Sequence, residues 1–317
     1  MSFCGPHFSD CKFPVFLAIA SALLTVSAFA AGERAIMIRE AQIYLTPDLS
    51  SQKLDRVGRG REVVVLQKTT GWAQVFASID KERDITGWIT DKGIVRTATP
   101  GGDRILFGEA VDSEDEASRV HGRKGAAQDA ARLYGRMAEY FPRSPLAGEA
   151  LYRSADIVWQ IDKDDIMSRP SARQVDPNDR GQIDEQYMRT VKKKFPGTKW
   201  AALAAFSMID NKLCGEWRGL PRCPQREAEL YEKYAAEYPQ SPRAAEALYR
   251  AAWRHSALVE MYRSEGEAGK TGPARSRALE LAQRVITQFP ESDWAHRSAR
   301  LIYMLQQEIP TFGSPTD

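Results

Sequence analysis

The sequence is poor in the side chains from which most enzyme sites are built. It holds four histidines and four cysteines, and it contains no His-x-x-x-His, no Gly-x-Ser-x-Gly and no glycine-rich phosphate loop. His121, His255 and His296 stand apart from any cysteine that could act as a nucleophile. We therefore predict that the protein is not an enzyme, with no catalytic residue, no metal and no cofactor.

A strong charge of one sign is also missing. The formal net charge is +2, and the one basic block is Lys192-Lys193-Lys194. Nucleic-acid binding needs a larger basic surface, so we expect no nucleic-acid partner. The apolar fraction of 43% is typical of a globular protein and argues against a polytopic membrane protein.

One long apolar run is present, from Phe13 to Ala30, with Lys12 before it and Ala28-Phe29-Ala30-Ala31 at its end. A basic residue, a short apolar core and small residues at the exit predict a secretory signal peptide over residues 1–30. The alternative is a retained membrane anchor. Cleavage predicts an exported protein without stable membrane insertion, in a periplasm or outside a single-membrane cell.

Removal of that segment leaves two cysteines, Cys214 and Cys223, which flank a stretch rich in glycine and proline. A close pair in an exported chain predicts a disulfide that closes a short loop. Zinc would need two further ligands, and no histidine lies nearby to supply one. Two free thiols are the remaining alternative.

The region from residue 125 to 309 contains one motif four times. It is an aromatic residue, proline, any residue, then serine or threonine, with small residues three and six positions further on. The copies begin at Phe141-Pro142, Phe195-Pro196, Tyr238-Pro239 and Phe289-Pro290. Proline ends one helix and the hydroxyl residue caps the next, while the small residues let a neighbouring helix approach closely. The motif thus predicts four helix hairpins.

Apolar residues precede each proline at helical spacing. They are Leu133, Tyr134, Met137, Tyr187, Met188, Val191, Leu230, Tyr231, Tyr234, Leu281 and Val285. Stacked helix pairs of this kind predict an all-α solenoid. The motif resembles the tetratricopeptide-type repeats of bacterial envelope proteins such as BamD and YbgF, which implies binding of protein partners.

Residues 33–97 have a different pattern, with short β-prone runs separated by glycine turns. Gly71-Trp72 and Gly87-Trp88 each lead such a run, and the region resembles the bacterial SH3 (SH3b) domain, a small all-β barrel. Tyr44-Leu45-Thr46-Pro47 stands where many of these domains have Val-Arg-x-Gly-Pro. The resemblance implies binding of cell-wall peptides or of a protein, and we predict Tyr44 and Trp88 in the groove and Trp72 in the core.

Residues 98–124 include an acidic run and are predicted to be a linker, and residues 310–317 a tail. Three longer connections, 162–181, 214–223 and 264–273, are expected to lie along one rim of the solenoid. Arg153 and Arg250 occupy equivalent repeat positions and could line a groove for acidic peptide ends, although one exposed arginine per helix is unremarkable. Trp217, inside the cysteine loop, is predicted to touch a partner.

Two functions follow from these patterns. The first is an exported scaffold whose helical repeats bind envelope proteins, with the SH3b-like domain as a second contact. The alternative is a peptidoglycan-binding module that uses the solenoid as a spacer or oligomerisation arm.

Overall fold

The computed structural model describes residues 32–79 and 83–313. The predicted signal peptide, with Cys4 and Cys11, lies outside the described residues, as do the last four residues of the predicted tail. Within the described part, an antiparallel sheet comes first along the chain and a set of helices follows it. This order of strands and then helices agrees with the prediction from sequence.

The sheet has seven strands among the described residues. They are β1 Glu33–Met37, β2 Ala41–Tyr44, β3 Lys53–Val57, β4 Glu62–Thr69, β5 Trp72–Ser78, β6 Asp84–Thr90 and β7 Ile94–Arg96. Their order is β3-β2-β6-β5-β4-β1-β7. Strand β3 was not expected, because its Lys-Leu-Asp-Arg-Val sequence has three charged residues and little of the β-branched character of its neighbours.

One face of the sheet forms an apolar core. Ala73, Val75 and Ala77 of β5 alternate into it and pack with Ile43 and Ile89. This period of two is what a strand with one buried face produces. The residues between them in β5 therefore point to the opposite face.

The helices among the described residues are α1 Gly102–Ser118, α2 Ala126–Tyr140, α3 Ala147–Ser168, α4 Gln186–Lys194, α5 Lys199–Ser207, α6 Arg222–Glu237, α7 Ala244–Ser264, α8 Ala268–Gln288 and α9 Asp293–Gln306. Short 3-10 helices cover Pro170–Arg173, Pro177–Asp179 and Asp210–Lys212. Consecutive helices pack on each other from α1 to α5 and from α6 to α9, and Phe206 of α5 contacts Tyr231 and Tyr234 of α6.

The predicted linker at 98–124 is wrong, since most of it is helix α1. Leu106 and Ala110 of α1 are fully buried, in one cluster with Ile36 and Val95 of the sheet and Leu133 of α2. Apolar residues four apart lie on one helix face, and this face was hidden in the sequence by the acidic residues around it. Helix α1 thus joins the sheet to the helices through a shared core.

The β3–β4 turn makes a second contact between the two parts. Gly60 has a φ of 72°, and a Cβ there would lie 2.8 Å from Arg132 Cβ and 3.3 Å from the Leu133 amide nitrogen. A residue with a side chain would be strained at this positive φ, and its Cβ would be too close to α2.

All four repeat junctions have the same geometry. Helices α2, α4, α6 and α8 each end one residue before the motif aromatic, whose φ lies between −124° and −135°. The N–H of that aromatic donates to the carbonyl four residues earlier in every copy. The proline that follows cannot continue the ladder, which confirms the predicted helix ends.

The predicted N-caps are confirmed in the two copies without a second proline. Thr198 and Ser292 accept from the amides of Ala201 and Ala295, three residues on. Where Pro145 or Pro242 follows the serine, the helix begins later, at Ala147 and Ala244. In those copies the serine Oγ accepts from the amide two residues on instead.

The small motif residues are buried in all four copies, as predicted. They are Ala147, Ala150, Ala201, Ala204, Ala244, Ala247, Ala295 and Ser298. The apolar residues upstream of the prolines are also in or against the core, except Tyr187, which is half exposed and was predicted wrongly. Helix α4 has only nine residues and buries Met188 and Val191, so Tyr187 falls outside its narrow apolar stripe.

A repeated aromatic stack joins successive hairpins. Tyr152 of α3 stacks on Trp200 of α5 with ring centroids 5.7 Å apart, and Tyr249 of α7 packs on Trp294 of α9 at 5.3 Å. Each tyrosine lies ten residues after its motif proline, and each tryptophan lies four residues after the next one. These aromatics pack between hairpins.

Two of the three predicted connections are shorter than expected. Helix α3 continues to Ser168, and α8 begins at Ala268, so that Pro273 lies inside a helix. Pro273 is in the second turn of α8, where the lack of its backbone N–H removes one helical hydrogen bond. The tail is partly packed as well, because Phe312 lies against Trp217 with centroids 5.4 Å apart.

An ion-pair network ties three successive helices together. The Glu232 carboxylate of α6 accepts from His255 Nε2 of α7 at 2.8 Å and from Arg277 of α8. Burial opposes its charge, but these two partners outweigh burial and lower the pKa of Glu232 from 4.5 to about 2.

Candidate functional site

Arg153 and Arg250 take part in the same local arrangement at equivalent repeat positions. Arg250 Nε donates to Glu246 Oε1 at 2.8 Å and its guanidinium lies over the Tyr231 ring. Arg153 Nη2 pairs with Glu149 at 2.9 Å, and its guanidinium lies over the Tyr134 ring. Glu149 and Glu246 occupy equivalent repeat positions, and so do Tyr134 and Tyr231. The repeated arginine therefore links the two helices of its own hairpin.

The surroundings of these two arginines differ. Arg153 Nη1 also contacts the Glu114 carboxylate at 3.2 Å, on helix α1, which packs on α2. Arg250 instead lines a cleft between α3, α5, α6 and α7. The two residues predicted to line one groove thus have different surroundings: Arg153 contacts α1, and Arg250 lines the cleft.

The cleft consists of two adjoining cavities of about 180 and 250 Å³ that share Lys163, Asp210 and Arg250. Helix α3 supplies Tyr152, Asp156 and Gln160 to the first cavity. The second cavity reaches Cys214 and so extends to the disulfide loop. The long connection before α4 thereby forms one wall of the cleft.

Both charge signs line the cleft. Lys163 Nζ contacts Asp210 Oδ2 at 2.7 Å, and Arg180 donates to the Asp210 carbonyl at 2.6 Å. Burial raises the pKa of Asp156, whose carboxylate accepts a long 3.4 Å bond from Tyr152. A ligand with both an ammonium and a carboxylate, such as a peptide segment, would find partners here.

Asn211 fixes the connection that forms this wall. It is 8% exposed, its Nδ2 donates to the Ile183 carbonyl at 2.9 Å, and its Oδ1 accepts from the Ile183 amide at 3.0 Å. The Asn211 side chain thus forms hydrogen bonds with both backbone polar groups of Ile183. The polar atoms of both residues are therefore satisfied.

The predicted disulfide is confirmed: Cys214 and Cys223 are bonded, with Cα atoms 6.0 Å apart. The loop that it closes is held by Glu227 of α6. Glu227 Oε1 accepts from the Cys214 amide at 2.8 Å and from Trp217 Nε1 at 3.1 Å. Its other oxygen accepts from Arg254 Nε of α7 at 2.7 Å.

Trp217 is half buried within the protein. Its ring packs against Trp253 and Phe312, with centroids 5.3 and 5.4 Å away, and Arg254 lies over it at 5.8 Å. Sequence reasoning found no place for Trp217 in a core, because its neighbours come from α7 and from the chain's end. Its predicted contact with a partner stays a prediction, limited to the part of the ring that remains accessible.

The prediction of which sheet aromatics are accessible was wrong. Tyr44 and Trp88 are 9% and 8% exposed, whereas Trp72, predicted in the core, is partly exposed. Ala73 points into the core, so alternation turns Trp72 to the outer face. Tyr44 and Trp88 are in register on neighbouring strands, and the Tyr44 ring meets Trp72 edge-on at 5.6 Å.

Sequence reasoning missed the buried pair of Glu227 and Arg254, which are 1% and 6% exposed. They lie 27 residues apart on two helices, and charged residues are usually exposed, so neither alone predicts a buried pair. Glu246, 3% exposed, was missed for the same reason. Its position four residues before Arg250 was a detectable signal, since such a pair shares a helix face.

Among the residues described, no helix is long and apolar enough to cross a membrane. No protein-family model and no curated protein matches the chain. Solved structures with some similarity include the designed helical filaments DHF58 and DHF119 and the designed helical repeat protein DHR64. They have 18%, 18% and 19% identity with TM-scores of 0.23, 0.23 and 0.22, and they cover 65% of this chain and 93–94% of their own.

Proposed function

We propose that this chain is a non-enzymatic, exported scaffold that binds protein partners of the bacterial cell envelope through its helical repeats. The repeats form a tetratricopeptide-like solenoid in this proposal, and the SH3b-like sheet provides a second contact. The observation that carries it is the cleft beside Arg250. There Arg250, the third hairpin's counterpart of Arg153, borders an open, charged cavity.

The chemistry of the cleft favours a peptide as its ligand. Lys163 and Arg250 can pair with a carboxylate, while Asp156 and Asp210 can accept from amides or an ammonium group. The cavities are small, so one extended segment or chain end fits better than a folded surface. Helices and one disulfide hold the walls, which reduces the ordering cost of binding.

The disulfide supports the exported location. A bridge between Cys214 and Cys223 persists in an oxidising compartment and is rare in a reducing one. This fits the apolar N-terminal run read as a secretory signal, and the periplasm is the compartment that the family resemblance implies.

Peptidoglycan binding is the second candidate, and one observation favours it. The outer face of the sheet carries aromatic rings on adjacent strands, with Trp72 partly exposed and Phe76 38% exposed. Flat aromatic surfaces of this kind suit sugars and cell-wall peptides.

Sedimentation with purified peptidoglycan sacculi separates the two candidates. The chain from residue 31 on should be used whole, because a cut after residue 97 would expose Ile36 and Val95 of the shared core. The scaffold proposal predicts that it stays in the supernatant. Sedimentation that is lost in Trp72→Ala and kept in Tyr303→Ala, an exposed aromatic on α9, would replace the proposal with the cell-wall function.

A further inference from the structure

A second groove, with lining residues other than those of the cleft, lies between α4, α5 and α6. It encloses about 570 Å³. Lysines stand around it: Lys192 and Lys193 on α4, Lys212 in the 3-10 helix after α5, and Lys233 on α6. We name this feature the lysine groove.

The four lysines lack acidic partners. No ion pair joins Lys192, Lys193, Lys212 or Lys233 to a carboxylate within the described residues. Arg189, also in the groove, does pair with its neighbour four residues earlier on α4. Four like charges around one groove repel each other, so an anionic occupant would be stabilised there.

The floor of the lysine groove is apolar. Met208 and Leu230 line it together with Tyr238, and the Lys192 ammonium lies 5.9 Å from the centre of the Tyr238 ring. An occupant that fills the groove therefore needs apolar groups as well as negative charge. A segment with carboxylates along its edges and apolar side chains on one face has both.

The groove suits a peptide better than a nucleic acid or a lipid surface. A phosphate backbone carries no apolar groups with which to cover Met208 and Leu230. The apolar residues form a recessed floor, whereas membrane-binding surfaces project theirs outward. A second cavity of about 700 Å³ shares Glu185, Arg189 and Lys193 and continues along α4 to Ile183 and Asn211, which also line the cleft.

We propose that the lysine groove docks an acidic amphipathic segment of a partner protein. This inference rests on the proposed function in one respect, which is that the chain binds proteins. The lysine groove has other lining residues than the cleft beside Arg250, so the two sites can be tested separately. The mode is helix-in-groove recognition, with lysines on both walls setting the preference for negative charge.

Fluorescence anisotropy with a labelled synthetic peptide tests the proposal. The probe is a peptide of about 16 residues, or roughly 24 Å as a helix, with Leu and Phe on one face and Glu elsewhere. Its comparison peptide has Gln in place of every Glu. The proposal predicts binding of the Glu peptide and at least about tenfold weaker binding of the Gln peptide.

Charge reversal maps the binding to the groove. The double variant Lys192→Glu with Lys233→Glu should weaken binding of the Glu peptide by about tenfold or more. Lys194→Glu is the matched control, because Lys194 is an exposed lysine of the same helix that does not line the groove. It should change the affinity by less than about twofold. Equal losses in both variants would mean non-specific attraction and would overturn the proposal, as would no binding of the Glu peptide.

Two further measurements identify the occupant and separate the two surfaces. Arg250→Ala should leave binding of the Glu peptide unchanged; a loss there would place the peptide in the cleft and refute the lysine groove. Vesicles of phosphatidylglycerol and phosphatidylcholine in about equal parts should not bind the chain. Vesicle binding that needs Lys192 and Lys233 would overturn the proposal in favour of a membrane surface.

Discussion

The buried pair of Glu227 and Arg254 gives the most direct test of how the disulfide loop is held. In Glu227→Gln the amide oxygen can still accept from the Cys214 amide and from Trp217 Nε1. The amide NH2 then faces Arg254, whose charge stays buried without a counter-ion. Breaking one partner of a buried pair costs about 3–5 kcal/mol. That is a large part of the roughly 5–15 kcal/mol that stabilises a typical domain.

Urea unfolding followed by tryptophan fluorescence measures this loss, since Trp217 and Trp253 are stacked beside the pair. Glu229→Gln is the control, an exposed glutamate of the same helix that should change stability by less than about 0.5 kcal/mol. Removing the second charge as well, in Glu227→Gln with Arg254→Met, should restore much of the loss, because the amide oxygen still accepts from Cys214 and Trp217. If Glu227→Gln were as stable as Glu229→Gln, the pair would not hold the loop and our reasoning would be refuted.

Three further predictions concern other parts of the fold. The pKa of Glu232 is lowered from 4.5 to about 2, so its carboxylate stabilises the fold above about pH 4.5 and this contribution is lost as the pH falls towards 2. Glu232→Gln should therefore lower stability by roughly 1–3 kcal/mol at pH 7 and by much less at pH 2.5, and an equal loss at both would contradict the assignment. Gly60→Val should lower the thermal midpoint, at a cost of at least about 1–2 kcal/mol, because of the positive φ and the contact with α2. An unchanged midpoint would show that the turn can change its conformation without cost. Opening the disulfide, by Cys214→Ser with Cys223→Ser or by a reductant, should cost about 2–3 kcal/mol for a loop of this length in urea unfolding, and no difference between the variant and the oxidised wild type would count against it.

The helix hairpins could be predicted from sequence because their signals are local. Proline ends a helix and small residues allow close packing wherever they occur, so Pro196 and Ala204 act through their immediate neighbours. The disulfide was also a local signal, because Cys214 and Cys223 are only nine positions apart in the sequence. Strand alternation was equally local, and the error at Trp72 came from assigning a large ring to the core without following the alternation of β5.

The remaining features depend on residues that are distant in the chain. Glu227 and Arg254 meet across two helices, and each alone resembles an ordinary exposed charge. Helix α1 is defined by Leu106 and Ala110, whose burial requires the sheet and α2 to be in place. The cleft beside Arg250 depends on how α3, α5 and α7 stack. Contacts between residues that are distant in the chain cannot be predicted from the spacing of neighbouring residues.

The most direct test of the account is photo-crosslinking from inside the cleft in cells that make the protein. A benzophenone amino acid in place of Gln160, which is exposed at the cleft edge, should give a discrete adduct with another protein. The adduct should be lost when Arg250→Ala is added. The same probe in place of Gln74, on the outer face of the sheet, serves as the comparison. An adduct from Gln74 with none from Gln160 would contradict the claim that the helical cleft makes the partner contact.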